Sequence, residues 1–243
     1  ELRVTSIFPY PNALGLFLAP LVPLFIAMLL HRTKHIHTHF VDRQNVRALM
    51  QCTYWLMVIC ASMTAIVFAH STGALVGVAA GLFFMAAILI VRRKTHDREF
   101  YSARQFYIPI VLIILTLAVV LFPSSLKNEL LLRDWSGHVR RTQWTETIEM
   151  LKDRPILGAG LAGYKEALAP YHKATYLEIF EYPHDIVLNF WSETGLLGVI
   201  SFAWLLVIFF QNIYQQFVIR HSSFVILGAM GAMTTIVIHG LVD

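Results

Sequence analysis

Long apolar stretches without a charged residue are the feature that most limits how this chain can fold. Only 14% of its 243 residues are charged, and 57% are hydrophobic, whereas a typical soluble domain has about 25% charged residues. A helix that crosses a bilayer needs roughly 20 predominantly apolar residues. We therefore predict an all-α, polytopic transmembrane helical bundle. Its spans are expected at residues 13–30, 48–69, 73–91, 107–122, 196–210 (or from 186) and 224–242.

The basic residues between these spans predict an orientation. Short loops on the cytoplasmic side of a membrane carry an excess of lysine and arginine. The connection at residues 70–71 has neither. The other three loops contain basic residues. The loop after span one has Arg32, Lys34, Arg43 and Arg47, the loop after span three has Arg92, Arg93, Lys94, Arg98 and Arg104, and the loop after span five has Arg220. We expect these three loops in the cytoplasm, and so the segment 123–191 on the outer face.

This orientation divides the chain into three parts. Residues 1–122 hold the first four spans, 123–191 form a long, partly helical extracytoplasmic loop, and 192–243 hold the last two spans. The chain starts at Glu1 and ends directly after an apolar run, so we expect an internal piece of a longer membrane protein. The net charge of +4 follows from this loop pattern and does not point to nucleic acid.

The outer segment is predicted to contain a helix. Asp134 or Ser136 is a suitable N-cap, and Pro155 stops a helix that runs to about Asp153. A loop of this length in a compact protein is usually functional or has structure of its own. The outer segment is therefore the part of the chain with room for an active site.

One face of this helix combines apolar residues with an arginine. Trp144, Ile148 and Leu151 are spaced as an apolar stripe, and Arg140 lies one turn before Trp144 on the same stripe. Arg141 points about 100° away from it. An arginine that continues an apolar stripe either pairs with an acid beneath the helix or faces a bound anion.

Residues 158–163 spell Gly-Ala-Gly-Leu-Ala-Gly, the spacing of a dinucleotide-binding loop. That motif needs a strand before it and a helix after it, whereas here a helix and Pro155 precede it. We interpret it as a flexible, close-packed turn near the membrane surface.

His184 follows Pro183 and opens the apolar run that leads into the fifth span. A histidine in this position can act as a general base, because its pKa lies near neutrality. Alternatively, it is a residue that caps the helix at the interface. Three acids lie close in sequence and are the next candidates for the base: Glu181, Asp185 and Glu193.

Several common sites are missing from the sequence. It contains no paired aspartates for a metal-bound nucleotide sugar, no phosphate-binding loop, no nucleophile elbow and no zinc pattern. No predicted span has a charged residue at its middle, which disfavours a coupled transporter. If the protein is a transferase, its donor is not expected to be a nucleotide sugar.

With these motifs in order, the chain resembles the O-antigen ligase and O-antigen polymerase superfamily, which includes protein O-oligosaccharyltransferases. The resemblance covers nearly the whole chain. Each motif is short, but their order and spacing are fairly specific. They lie at residues 3–13, 71–74 (Ser-Thr-Gly-Ala), 136–160, 184–198 (His184, then Glu193 with Gly-Leu-Leu-Gly) and 239–243.

The resemblance implies an enzyme that moves a glycan from an undecaprenyl pyrophosphate carrier to an acceptor hydroxyl, such as that of lipid A–core. The reaction takes place at the outer face of the bacterial inner membrane, inverts the anomeric centre and needs no metal or other cofactor. Arg140 or Arg141 would bind the pyrophosphate, and His184 would act as the base. The positions implied in support are Arg3, Ser71, Trp144, Asp185 and Glu193.

Two positions depart from the family pattern. Thr72 stands where the family often has arginine, and Asp185 stands where it usually has asparagine, beside the expected base. Other activities are compatible with the same sequence: an O-antigen or exopolysaccharide polymerase, a protein O-oligosaccharyltransferase, or a non-catalytic polysaccharide flippase or transporter. Because the family's members have further spans, the chain by itself is expected to be inactive.

Overall fold

A computed structural model gives the fold, and it describes residues 7–8, 11–33, 43–95, 132–219 and 223–241. Every regular element in these ranges is helical. The helices are α1 (Pro11–Leu18), α2 (Leu21–Thr33), α3 (Arg43–Phe68), α4 (Thr72–Thr95), α5 (Trp135–Asp153), α6 (Tyr164–Leu168), α7 (Ile186–Tyr214) and α8 (Phe224–Gly240). A 3-10 turn, Ala169–Tyr171, follows α6, and a π-helical turn, Gln215–Ile219, follows α7.

Among the residues that the structure describes, four stretches are long and apolar enough to cross a membrane: Asn12–Arg32, Val46–Phe68, Thr72–Arg92 and Ile186–Phe217. They correspond to predicted spans one, two, three and five, the last in its longer form. The sixth predicted span is the apolar helix α8, which has 17 residues. The fourth, at 107–122, lies outside the described residues. The structure thus confirms an all-helical membrane protein.

The chain divides into two compact units. The first comprises Glu1–Val120 and Phe210–His239, and the second Leu121–Phe209 and Gly240–Asp243. Each is described here by itself.

In the first unit, the first span is broken near its middle. Helix α1 ends at Leu18 and α2 begins at Leu21, because Pro20 has no backbone N–H to continue the helical ladder. The Ala19 amide still donates to Gly15 O (2.9 Å), and the Val22 amide donates to Ala19 O (3.3 Å). The break therefore keeps these two amides bonded, which matters where a membrane excludes water.

Helices α4 and α8 of this unit approach closely through small residues. A Cβ atom on Gly77 would lie 2.8 Å from Thr235 O, and one on Gly231 would lie 2.6 Å from Met85 Sδ. Small residues allow such contact between membrane helices. Arg92, which we predicted to open a cytoplasmic loop, is the last residue of its span. Its guanidinium lies 4.3 Å from the centre of the Phe217 ring, a cation–π contact.

In the second unit, α5 begins and ends where the sequence predicts. Asp134 is the N-cap, and its carboxylate accepts the Gly137 amide at 3.0 Å. The helix ends at Asp153, two residues before Pro155. Between the two predicted caps, the structure selects Asp134 over Ser136, which is helical.

The buried face of α5 differs from the predicted stripe. Ile148 is 46% exposed, and Trp144 is only half-buried. Three of the six buried positions carry polar side chains: the six are Gly137, Gln143, Glu146, Thr147, Met150 and Leu151. Met150 and Leu151 pack with Tyr164, Ala167 and Leu168 in the core of the unit. The helix is rotated from its predicted orientation because its polar side chains bond to the segment that follows.

Candidate functional site

Two side chains of α5 hold the segment that leads to His184. Gln143 Nε2 donates to Tyr182 O at 2.8 Å, and the Trp144 indole N–H donates to Pro183 O, also at 2.8 Å. The residue directly before His184 is thereby fixed to the helix that carries Arg140 and Arg141. The helix and the segment are 39 residues apart in sequence.

Glu146 is the anchor of the same segment further upstream. Its carboxylate accepts hydrogen bonds from His172 Nδ1 (2.9 Å), the Lys173 amide (2.9 Å) and the Ala174 amide (3.2 Å). Its side chain is only 7% exposed, and a buried carboxylate needs such partners. Glu146 therefore fixes residues 172–174 to α5.

The other ring nitrogen of His172 also faces an acceptor. Nε2 lies 3.1 Å from Leu177 O. An imidazole donates from both nitrogens only when it is protonated. The hydrogen bond to Glu146 raises the pKa of His172, with a further contribution from Leu177 O, while burial acts in the opposite direction. The geometry and the pKa direction both favour the imidazolium.

His184 has an unusual backbone conformation. Its φ is 51°, which lies in the left-handed region. Residues with a Cβ rarely adopt this region, although histidine does so more often than most of them. The ring centroid lies 4.6 Å from that of Tyr182 and 5.2 Å from that of Phe180. Strained backbone of this kind often occurs at functional sites.

The helix cap that follows belongs to Asp185. Its carboxylate accepts the Leu188 amide at 2.8 Å, at the start of α7. Burial raises the pKa of Asp185, and the Leu188 and Val187 amides oppose the shift. The capping role considered for His184 is therefore filled by its neighbour. Glu181, another candidate base, pairs with Lys165 at 2.7 Å.

The glycine-rich turn binds to a kink in α7. Gly195, with φ 72° and ψ −174°, interrupts the helix. The Leu196 amide donates to Ile156 O (3.0 Å) rather than completing the helical ladder to Ser192 O. Ser192 O instead accepts the Ala159 (2.6 Å) and Gly160 (3.2 Å) amides. The close packing predicted for this turn is thus confirmed.

The remaining predicted residues are distributed as follows. Arg140 is half-buried one turn before Trp144 on α5. Arg141 is exposed, and its Nε donates to Gly137 O at 3.4 Å. Glu193 is half-buried on α7, two residues before the kink.

In the first unit, Ser71 is 2% exposed and caps α4 by accepting the Ala74 amide at 3.4 Å. Arg3 lies outside the described residues.

Sequence reasoning missed Gln143, Glu146 and His172. The first two lie at helical spacing with Met150, which is a signal that their face is buried. Within the ranges that the structure covers, no three His, Cys, Asp or Glu side chains group as metal ligands would.

These features define a class of protein: a helical membrane protein whose arginine-bearing loop helix is bonded to a strained histidine segment. The family model described as O-antigen ligase matches residues 55–203, which is more than half of the chain. The chain therefore belongs to the O-antigen ligase family, and we assign it as a ligase-like membrane enzyme of O-antigen and lipopolysaccharide biosynthesis. Comparison with curated proteins and with solved structures gave no match.

Proposed function

We propose that this protein transfers a glycan from undecaprenyl pyrophosphate to a hydroxyl group of lipid A–core, at the outer face of the bacterial inner membrane. The observation that carries the proposal is the bond between Trp144 and Pro183. It joins a helix with two arginines to the segment of His184. Arginine suits the anionic leaving group of the donor, and histidine can accept the proton of the acceptor hydroxyl.

The arginines act on the donor. As the glycosidic bond breaks, its electron pair stays with the pyrophosphate, which becomes more negative. Arginine binds phosphate oxygens bidentately through its planar guanidinium. Arg140 is the better placed of the two, because it lies on the same side of α5 as Trp144, one turn away. Arg141 points elsewhere and is exposed.

His184 acts on the acceptor. Its imidazole accepts the hydroxyl proton while the oxygen attacks the anomeric carbon from the side opposite the pyrophosphate. The new C–O bond forms as the old one breaks, so the anomeric centre is inverted. In this proposal Arg140, and not a metal ion, offsets the charge that develops on the leaving group. The half-buried ring contacts the rings of Phe180 and Tyr182, which orient it for this transfer.

The test is a transfer assay with full-length protein in liposomes, containing the undecaprenyl-linked glycan and lipid A–core. General-base help is worth about 10²–10⁴ in rate, so His184→Gln is expected to lower turnover by that factor and to keep donor affinity. Arg140→Lys is expected to lose most activity, because lysine lacks the planar fork. His138→Gln and Arg133→Lys are matched controls in the same loop. Wild-type transfer by His184→Gln would refute the assigned base, and transfer to a growing glycan instead of lipid A–core would indicate a polymerase.

The orientation is tested separately. In a protein with Cys52 and Cys60 replaced by serine, Lys173→Cys is expected to react with a membrane-impermeant thiol reagent in intact spheroplasts. The Lys173 side chain is 74% exposed. Arg47→Cys, exposed near the start of α3, is expected to react only after lysis. The reverse pattern would place the loop in the cytoplasm.

A further inference from the structure

The turn that binds to α7 exposes large apolar side chains. Ile156 is 62% exposed, Leu157 77% and Leu161 78%. We call residues 156–161 the apolar turn. Ala159 of this turn packs against the core that contains Met150, Leu151 and Tyr164, whereas the three larger side chains remain exposed.

The backbone of the apolar turn is fixed, so these side chains are not simply the ends of a loose loop. Gly158 N donates to Arg154 O at 3.0 Å. A Cβ atom on Gly158 would overlap the carbonyl oxygens of Trp191 and Ser192. Just before the turn, the Trp191 indole N–H donates to Pro155 O at 2.7 Å. The turn is therefore held against α7 with its leucines outward.

The place where the apolar turn binds along α7 indicates what surrounds it. The apolar segment Ile186–Phe217 has 32 residues, about 48 Å of helix at 1.5 Å per residue. This exceeds the hydrocarbon thickness of about 30 Å, so at least one end of the segment extends beyond the hydrocarbon. Trp191 favours the first turns as that end, since tryptophan is enriched at the membrane interface. The turn binds at Ser192–Leu196, close to this end of the segment.

The exposed apolar surface continues from the turn onto the helix. Leu196 is 40% exposed, Leu197 67% and Ile200 54%. These residues follow the kink and belong to the membrane-spanning segment. The leucines of the turn thus lie at the end of the apolar surface of a segment that is long and apolar enough to span a membrane.

Basic residues stand next to the turn. Lys152 and Arg154 are exposed at the end of α5. The intervening Asp153 accepts a hydrogen bond from Tyr171 Oη at 2.5 Å. Apolar side chains flanked by lysine and arginine are typical of segments that lie in the membrane interface, and the basic residues favour anionic headgroups.

We propose that the apolar turn inserts into the bilayer beside α7, at the boundary between headgroups and acyl chains, and that its partner is the lipid itself. Ile156, Leu157 and Leu161 contact acyl chains, while Lys152 and Arg154 contact anionic headgroups. The insertion fixes the height of α5 at the membrane surface. The inference does not depend on the proposed reaction.

The test uses spin labels on full-length protein in nanodiscs of phosphatidylethanolamine and phosphatidylglycerol. In a background with Cys52 and Cys60 replaced by serine, labels are placed singly by Leu157→Cys and Leu161→Cys. Leu197→Cys is the reference for lipid, and Glu178→Cys, exposed in the same unit, is the reference for water. Collision of each label with oxygen and with a water-soluble nickel chelate is measured by electron paramagnetic resonance.

Labels at 157 and 161 are expected to collide several-fold more with oxygen than with the chelate, as at 197, and the label at 178 is expected to show the opposite preference. Two results would overturn the proposal. If the labels at 157 and 161 resemble that at 178, the turn lies in water. If they collide weakly with both reagents, protein covers the turn instead of lipid. Because two exposed positions are probed, misfolding of one variant would leave the other informative.

Discussion

The indole N–H of Trp144 lies 2.8 Å from the carbonyl oxygen of Pro183 and donates a hydrogen bond to it. This contact fixes the backbone immediately before His184, whose φ of 51° is costly for a residue with a Cβ. The surroundings must therefore hold that conformation. Trp144, with Gln143 beside it, positions His184 and does not itself touch the reacting atoms in our proposal.

The first prediction concerns Trp144→Phe, which keeps an aromatic ring and removes the donor. A hydrogen bond contributes about 0.5–1.5 kcal/mol, and small displacements of a reacting group can lower rates by up to about 10²-fold. We expect kcat to fall by roughly tenfold, with the donor KM within about twofold of wild type. Trp135→Phe is the control, because Trp135 is 66% exposed. If Trp144→Phe and Trp135→Phe have equal kcat values, Trp144 does not position His184.

The second prediction concerns pH. The pKa of His172 is raised in the folded protein, chiefly by its hydrogen bond to Glu146. The folded state therefore binds the proton more tightly than the unfolded state. The resulting stability is fully present below the unfolded pKa of about 6.5 and is lost as pH rises through the folded pKa. The thermal midpoint in detergent is expected to fall as pH is raised from about 6 to above the folded pKa of His172.

Two variants check the source of this pH dependence. His172→Gln cannot titrate and is expected to flatten the curve over the same range. Glu146→Gln removes the carboxylate that lies against His172 and is expected to lower the pKa of His172 and to cost about 1.5–3 kcal/mol. The nearby pair of Lys173 and Glu149, 2.8 Å apart, remains charged throughout the range. If His172→Gln keeps the wild-type pH dependence of the thermal midpoint, His172 is not its source.

The third prediction concerns the kink. Gly195 has a φ and ψ that only glycine adopts readily, and a Cβ atom there would overlap Ile156 O. Gly195→Ala is expected to lower the thermal midpoint and to free the apolar turn, which protease digestion would detect. Gly160→Ala is the matched control. Its φ is 87°, but no atom lies within 4 Å of the added Cβ, so it should show backbone strain without the clash.

The fourth prediction concerns the first unit. A Cβ atom on Gly81 would overlap Thr235 Oγ1 and would lie 2.6 Å from Gly231 O. Gly81→Val is therefore expected to force α4 and α8 apart and to cost about 1–3 kcal/mol. Ala79→Val, on another side of α4 and half-buried, is the control. If both variants retain the wild-type midpoint by thermal aggregation in detergent, the small-residue contact does not stabilise the unit.

The parts of the fold that depend on residues close to each other in sequence could be predicted from the sequence. Charge-free stretches predicted the four spans found among the described residues, and Asp134 with Pro155 predicted the limits of α5. The rotation of α5 could not be predicted in the same way. Gln143 and Glu146 are polar and would ordinarily face solvent. They are buried because their partners, such as Tyr182 and His172, are supplied from 26–39 residues further along the chain.

The candidate site shows the same division. His184 and the arginines were found from their residue types and their places near predicted spans, and their roles stay predictions. The kink at Gly195 was not predicted, since a Gly-Leu-Leu-Gly sequence inside an apolar run is compatible with a straight membrane helix. The bent form is favourable because the carbonyl of Ile156 and the amide of Ala159 bond to the backbone at the kink. Both groups come from a part of the chain that is distant from the kink in sequence.

The bonds at the kink have a consequence for how the protein is assembled. Where a bilayer excludes water, an unpaired amide or carbonyl costs several kcal/mol. Ser192 O and Leu196 N therefore have two stable arrangements: bonded to each other in a straight helix, or bonded to Ala159, Gly160 and Ile156 in a bent one. The shape of α7 thus reports whether the loop has docked. Deleting residues 156–161 is expected to yield a straighter α7 instead of a broken one.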